Sequence, residues 1–405
     1  MTAETERRGG ALRLLAEPDF LRLWLVGACS SIVRWLEMLA IGIYVFDRTG
    51  SPLLVAILTL LRMLPLALLG SVTGALADRF GQRRTIAVGL VGMLAASLIL
   101  AVVALAGGLQ LWHVAVGAVL NGIYWTTDLP ARRNMMGVIA GGGQVARAMS
   151  LDAATSNATR AVGPAVGGLL LALIGVGGAF CLSATLYAVS LLALAGLPAV
   201  GPQIAGHAAR IWRTVLDGLR QMRGDRAIAG TLAITVVFNV WGFPYTAMIP
   251  VIGREVLGLG PFPVGMLMSA EGCGALIGAL LATRAASLLA YRRIYLGGVT
   301  LTQLGVLGLA LSPLPGLAGA AILCAGLGSG AFAAMQSTLI YLLSPPETRG
   351  RMLGLLSVCI GTAPIGFAHI GLLADWLGAP AALLVMGAEG LAALFAAWLA
   401  WPEIR

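Results

Sequence analysis

The sequence predicts an all-α membrane protein of twelve transmembrane helices in two six-helix halves, with both termini cytoplasmic. Three observations carry that prediction. Of the 405 residues, 59% are apolar and 11% charged, whereas a soluble domain carries about a quarter charged residues. A mean hydropathy of +0.92 therefore assigns most of this surface to lipid. Apolar stretches long enough to cross about 30 Å of hydrocarbon as a helix recur along the whole chain. Positive charge alternates between successive loops, as cytoplasmic enrichment of arginine requires.

The first stretch, 20–46, follows Arg7, Arg8 and Arg13 as a signal peptide would. It is too long, carries charge and lacks a small-residue cleavage site, so it is expected to stay as span one. Spans two to six are expected at 53–77, 85–107, 111–129, 148–174 and 178–199. Spans seven to twelve follow at 227–251, 262–288, 293–312, 316–343, 352–374 and 380–401. The runs are continuous, not alternating, which excludes barrel strands. The longest polar interval, 200–226, lies halfway along and divides the chain into a cytoplasmic segment 1–19, a bundle 20–199 and a second bundle 227–405. Within that linker Ile211, Trp212, Val215, Leu216, Leu219 and Met222 recur at helical spacing opposite Arg210, Arg213, Asp217, Arg220 and Arg223. The pattern predicts a helix along the inner membrane surface that tethers the halves.

The net charge of +9 comes from 26 arginines and no lysine, against 17 acidic residues. With both termini inside, 21 of the 26 arginines fall on the inner side, only Arg48 and Arg254 fall outside, and Arg34, Arg62 and Arg160 lie within spans. An odd number of spans cannot give this alternation. Topology thus explains the basic charge, and no nucleic acid partner is expected. Cys29, Cys181, Cys273, Cys324 and Cys359 fall singly in apolar stretches, so packing roles are expected, with no metal and no cofactor.

Between spans two and three the chain reads Gly74-Ala-Leu-Ala-Asp78-Arg79-Phe-Gly81-Gln-Arg83-Arg84. This resembles the signature loop of the major facilitator superfamily, Gly-x-x-x-Asp-Arg-x-Gly-x-Arg-Arg, at every fixed position. Spaced glycines permit a tight turn and close helix approach, while an aspartate can pair with arginine and cap a helix. The resemblance implies a cytoplasmic latch, so Asp78, Arg79 and Arg83 are expected to govern conformation. Gly163-Pro164-Ala-Val-Gly167-Gly168 in span five resembles the Gly-Pro-x-x-Gly-Gly element of the family's antiporters, a bendable small-residue contact. Asp128-Leu-Pro130-Ala131-Arg132 after span four and Pro346-Glu-Thr-Arg349-Gly350-Arg351-Met352 before span eleven resemble the subgroup of enterobactin-type siderophore exporters and macrolide-type drug efflux pumps. The likeness covers nearly the whole chain and implies pseudo-symmetric bundles, a monomer and a bacterial inner membrane. Three departures stand out: Ala118 replaces the span-four arginine of many drug antiporters, Arg34 stands near a position that is usually acidic, and the second-half counterpart of the loop, Gly278 to Arg293, has no acid.

An ionised residue at mid-membrane costs about 2.5–3.5 kcal/mol on insertion scales, so each needs a partner, a watery cavity or a function. Ser30, Arg34 and Glu37 share one face of span one. An Arg34–Glu37 pair that satisfies itself is the alternative to substrate binding. Span two adds Arg62, and span five places Asp152, Ser156 and Arg160 at four-residue spacing; Arg160 also resembles a packing arginine of the subgroup. The second half supplies Glu271, His369 and Glu389, the last in a span expected to be peripheral. The arginine-rich half is therefore expected to engage an anionic group, and Glu271, His369 or Asp152 to exchange a coupling proton, since histidine and desolvated carboxyl side chains suit that task. Packing alone is the alternative for His369. Tyr124, Asn157, Asn239, Trp241, Tyr245, Phe332 and Gln336 are further candidates for the cavity wall, Asn239 and Gln336 above all, because an amide facing lipid is unsatisfied.

These features predict a secondary transporter working by alternating access, with its site at mid-membrane between the halves. No Gly-x-x-x-x-Gly-Lys-Ser/Thr loop is present, so an ion gradient or the substrate's own gradient must supply the energy. By resemblance, the reaction is proton-coupled export of a small amphipathic molecule; the membrane arginines favour a carboxylate siderophore or another anion. Movement of a lysophospholipid and uptake of a siderophore or carboxylate remain open alternatives. A membrane-embedded enzyme is the remote one, since no His-Glu-x-x-His, Gly-x-Ser-x-Gly or catalytic carboxylate pair occurs.

Overall fold

In lipid a backbone amide must find its partner within its own segment, which leaves helices as the economical solution. In the computed structural model every regular element among the described residues is helical. The structure describes residues 14–141, 144–197, 225–285, 287–345 and 348–404, and the backbone alone at 70–80 and 350. The first half begins with α1 (Pro18–Thr49), α2 (Pro52–Phe80), α3 (Gln82–Leu105) and α4 (Leu111–Ala140). A continuous run, Val145–Ala195, then breaks at Gly175 (φ 65°, ψ −176°) into α5 (145–174) and α6 (176–195). Only glycine reaches that backbone conformation cheaply. The second half comprises α7 (Arg226–Val256), α8 (Pro261–Ala282), α9 (Leu288–Ala310), α10 (Pro315–Leu343), α11 (349–377, interrupted at Gly361 and Thr362) and α12 (Ala379–Ala400). Among the described residues these twelve helical segments match the expected spans to within a few residues at most ends.

Two differences bear on function. The expectation that Asp128 to Arg132 follows span four is corrected: α4 runs on to Ala140 and buries both residues inside the helix. A helix can extend so far with charges because, as shown below, they are paired. α7 is irregular where a plain helix was expected: Phe238–Gly242 and Ile252–Val256 are π-helical and Pro244–Ala247 is 3₁₀. Pro244 has no N–H to give the Val240 carbonyl, which disrupts the ladder there. Gly366 of α11 packs directly on that carbonyl. The linker helix expected over 211–222 lies outside the described residues. Asp225, which follows it, caps α7 by accepting from the Ala227 and Ile228 amides at 3.0 and 3.1 Å.

Packing differs between the two faces of the bundle. Opposite the N-terminus, one apolar core draws Leu36–Val45 stretches of α1 and the start of α2 together with the ends of α7 and α11 and the start of α8. On the N-terminal face the cores are separate. One lies wholly in the first half around Phe20, Met135 and Tyr187, and two lie wholly in the second, around Phe332 and around Leu355. The halves therefore meet at one face and part towards the other. Two seams join them, α5 on α8 and α2 on α11. Along the first, Gly265 lies on the Pro164 carbonyl and Gly272 on the Arg160 carbonyl, where any Cβ would overlap. At the closed face Arg254 donates to both Asp47 oxygens, at 2.8 and 2.9 Å.

Candidate functional site

A small cleft lies within the first half, between α1, α4 and α6, lined by Ser31, Arg34, Asn121, Tyr124, Trp125 and Asp128 among others. Helical spacing on α4 places Asn121, Trp125 and Asp128 on one face. The Arg34 guanidinium lies 3.6 Å from the centroid of the Trp125 ring and 5.4 Å from that of Trp35. Among the described residues no carboxylate pairs with it, and the charges that act on it are the cations Arg62 and Arg160. The expected Arg34–Glu37 pair is thus not formed. Glu37 is buried and turns to α4 and α3, its Oε2 accepting from Asn121 Nδ2 at 3.0 Å and its Oε1 from Ser97 Oγ at 3.5 Å. Same-face spacing allowed the pair, but donors on the buried side satisfy the carboxylate better than a cation held in the cleft. Arg62, also buried, donates to the Arg34 carbonyl at 3.1 Å and lies within electrostatic reach of Glu37. The Tyr124 hydroxyl bonds Ser30 Oγ at 2.8 Å, and its ring stands edge-on to Tyr187.

Below the cleft is a compensated network. Arg132 bridges Asp128, with Nε to Oδ2 at 3.3 Å, and Asp152, whose other oxygen accepts from Arg133 Nε at 3.0 Å. Both oxygens of Asp152 are therefore held by guanidinium groups. Gly27 of α1 packs on the Arg132 guanidinium.

At the α5–α8 seam Arg160 grips Glu271 with both arms of its fork, Nε to Oε2 at 2.9 Å and Nη2 to Oε1. Glu271 is buried while Arg160 keeps 23% of its side chain exposed, so the pair sits where the joined face gives way to the open one. Ser269 supports it by accepting from the Ala165 amide at 2.9 Å. The Tyr245 hydroxyl, buried and without a partner among the described residues, faces the same pair.

In the second half Glu389 accepts from His369 Nε2 at 2.7 Å and Trp241 Nε1 at 2.9 Å, joining α11, α7 and α12. Phe332 is buried in a stack with Phe238 and Tyr295, with ring centroids 4.0 and 4.9 Å apart. It packs the bundle. Asn239 bonds its own helix at Thr235 O, 2.9 Å. Gln336 is buried with Nε2 unpartnered among the described residues, and Asn157 is half-buried three residues before Arg160.

Of the signature loop, Gly81 forms the turn between α2 and α3 with φ 86°. Arg83 donates to the Ala195 carbonyl at 2.8 Å, and Arg84 is exposed. The side chains of Asp78 and Arg79, and the packing of Gly74, lie outside the described residues. Around Pro164, Gly163 and Gly167 bring α5 onto α1; a Cβ on Gly167 would lie 3.3 Å from Leu36 Cα. Arg349 donates to the Tyr341 carbonyl at 3.0 Å and lies 3.8 Å above the same ring. Sequence reasoning passed over Trp125 and Asn121 and ranked Glu389 low. An amide one turn from an aromatic residue in an apolar span was the available signal.

A bundle of long apolar helices packed around buried charges fits a membrane transporter. The family described as transmembrane secretion effector matches residues 10–403, and the chain belongs to this branch of the major facilitator superfamily. It is 28% identical over 377 residues to an uncharacterized MFS-type transporter of Bacillus subtilis, covering 88% of this chain and 87% of that one. It is 29% identical over 362 residues to the multidrug efflux pump Tap of Mycolicibacterium fortuitum, covering 84% and 86%. With macrolide efflux protein A of Streptococcus pyogenes it shares 24% over 375 residues, covering 89% and 90%. Among solved structures, a bacterial homolog of the lysosomal transporter Spinster in an inward-facing, unoccupied conformation superposes with TM-score 0.72 at 12% identity, covering 96% and 98%. A peptide transporter POT mutant with sulfate gives 0.75 at 13% identity, covering 95% and 94%. The relatives and the fold are those of transporters, not of enzymes.

Proposed function

We propose that this protein is a proton-driven exporter of a small amphipathic anion in the bacterial inner membrane, with both termini cytoplasmic and the bundles 20–199 and 227–405 moving against each other as a monomer. The observation that carries the reading is Arg34: a guanidinium within a membrane helix, seated on Trp125 in a cleft of the first half, with cations and, among the described residues, no carboxylate acting on it. An uncompensated charge in this setting is costly, and an anionic substrate supplies its missing partner. Trp125 offers an apolar wall, and the guanidinium keeps its N–H edge for a carboxylate. A carboxylate siderophore or anionic drug has this chemistry. With the N-terminal face cytoplasmic, as the arginine distribution supports, the substrate enters from inside. The proton then acts at the seam: protonated Glu271 no longer holds the Arg160 fork, which loosens α5 from α8 on one side of the membrane. Relatives named as efflux pumps support export.

Untargeted mass spectrometry of medium and cell extract, with and without the chain under iron-poor growth, tests this. In cells lacking the chain, an anion present in the wild-type medium should be lost from it and accumulate inside, and Arg34→Gln should reproduce that profile. A wild-type profile with Arg34→Gln refutes the assignment of Arg34.

A further inference from the structure

The pair at the α5–α8 seam leaves one buried group beside it unused. Tyr245 is buried, and its hydroxyl has no hydrogen-bond partner among the described residues. It lies within electrostatic reach of both Arg160 and Glu271. A buried hydroxyl left unpaired costs free energy, and a second state in which it is paired accounts for its being kept. The neighbouring polar side chains are engaged. Arg160 grips both carboxylate oxygens of Glu271, and Ser329 on α10 accepts from Arg160 Nη2 at 3.5 Å. On α8, Ser269 accepts from the Ala165 amide at 2.9 Å and the Cys273 thiol donates to the Ala161 carbonyl at 3.9 Å. Arg34 of α1 faces Arg160 as a second cation.

A proton on Glu271 changes what its side chain needs. The carboxylate only accepts, whereas the acid carries an O–H donor, and a guanidinium has five donors and no acceptor to offer it. Resting on Glu271 as the proton site, we infer that Tyr245 is the positioning residue for its protonated form: the Glu271 O–H donates to the Tyr245 hydroxyl oxygen, and this neutral contact replaces the fork to Arg160. The proton stays on Glu271, and the Tyr245 O–H bond is not broken. Local structure allows the exchange. Tyr245 lies in the 3₁₀ stretch Pro244–Ala247, flanked along α7 by the two π-helical turns, where the regular ladder is interrupted and a small shift breaks few bonds. The Glu271 backbone is fixed by contrast, since its carbonyl packs on Gly326 with no room for a Cβ. The Glu271 side chain and α7 are therefore the parts that move.

Infrared difference spectroscopy of the full chain in nanodiscs, titrated from neutral to acidic pH, reads the protonated carboxyl group directly and needs no substrate. The wild-type band that Glu271→Gln removes belongs to Glu271. In Tyr245→Phe this band should move to higher frequency, because its hydrogen bond is lost. It should also reach half-height about one pH unit lower, since the bond favours the protonated form by about tenfold. The melting temperature at neutral pH should hold or rise, because phenylalanine removes a hydroxyl that has no partner in this state. A band unmoved in frequency and midpoint in Tyr245→Phe overturns the role of Tyr245, and a lowered melting temperature beside it leaves the residue as packing. The same shifts produced by Ser329→Ala and not by Tyr245→Phe give the role to Ser329 instead. If Glu271→Gln removes no band, the proton site itself is overturned, and the role of Tyr245 falls with it.

Discussion

The two halves of this transporter handle their membrane charges in opposite ways. In the first, Glu37 is satisfied by Asn121 and Ser97, Asp128 and Asp152 by Arg132 and Arg133, and Arg34 is left over on an indole ring. In the second, Glu389 takes His369 and Trp241, and Glu271 crosses the seam to Arg160 of the first half. One half therefore presents an unmet cation to the cleft, and the other supplies counter-charges and aromatic packing. On the proposed reading, similar six-helix scaffolds divide the labour: recognition falls where a charge is unpaired, and coupling falls where a pair joins the two halves.

The largest effect is expected at the joint. Glu271→Gln leaves Arg160 without its counter-ion, and breaking a buried pair in this way costs about 3–5 kcal/mol. Transport driven by a pH gradient in proteoliposomes should vanish while gradient-free exchange survives; full coupled activity in this variant would place the proton elsewhere. Next comes the unpaired cation. Arg34→Ala should weaken anion binding about tenfold or more, and Arg34→Ala with Glu37→Ala should not restore it, because Glu37 answers to Asn121. Recovery in the double variant, measured as transport, means the two residues neutralise each other after all. The smallest effect belongs to the second half. His369→Gln should lower thermal stability by about 1 kcal/mol and leave coupled transport at the wild-type rate, and a loss of pH-driven transport would move the proton site to the His369–Glu389 pair.

Much of the fold was legible in the chain because the bilayer imposes a length: twelve apolar runs became twelve passes. Gly81 reached its turn and Pro164 with its flanking glycines met a neighbouring helix because local backbone geometry reads directly from residue type. The site was less legible. Helical spacing put Arg34 and Glu37 on one face but could not weigh Asn121 and Ser97, which come from α4 and α3. The polar stretch from Asp128 to Arg132 looked like a loop, yet three-dimensional pairing with Asp152 and Arg133 let the helix continue through it. Glu389 ranked low for lying in an outer span, and only its contacts with His369 and Trp241 show a satisfied group.

What this sequence determined by itself was the membrane setting, the number of passes and the inventory of charges inside them, because transfer of apolar length and of ionised groups into lipid depends on composition more than on neighbours. What only the tertiary structure decided was which charge meets which: Arg160 with Glu271, Glu37 with Asn121, Arg34 with no acid among the described residues. Those pairings depend on donors and acceptors that lie far apart in the chain and come within hydrogen-bonding reach only when helices pack, so no spacing along one helix encodes them.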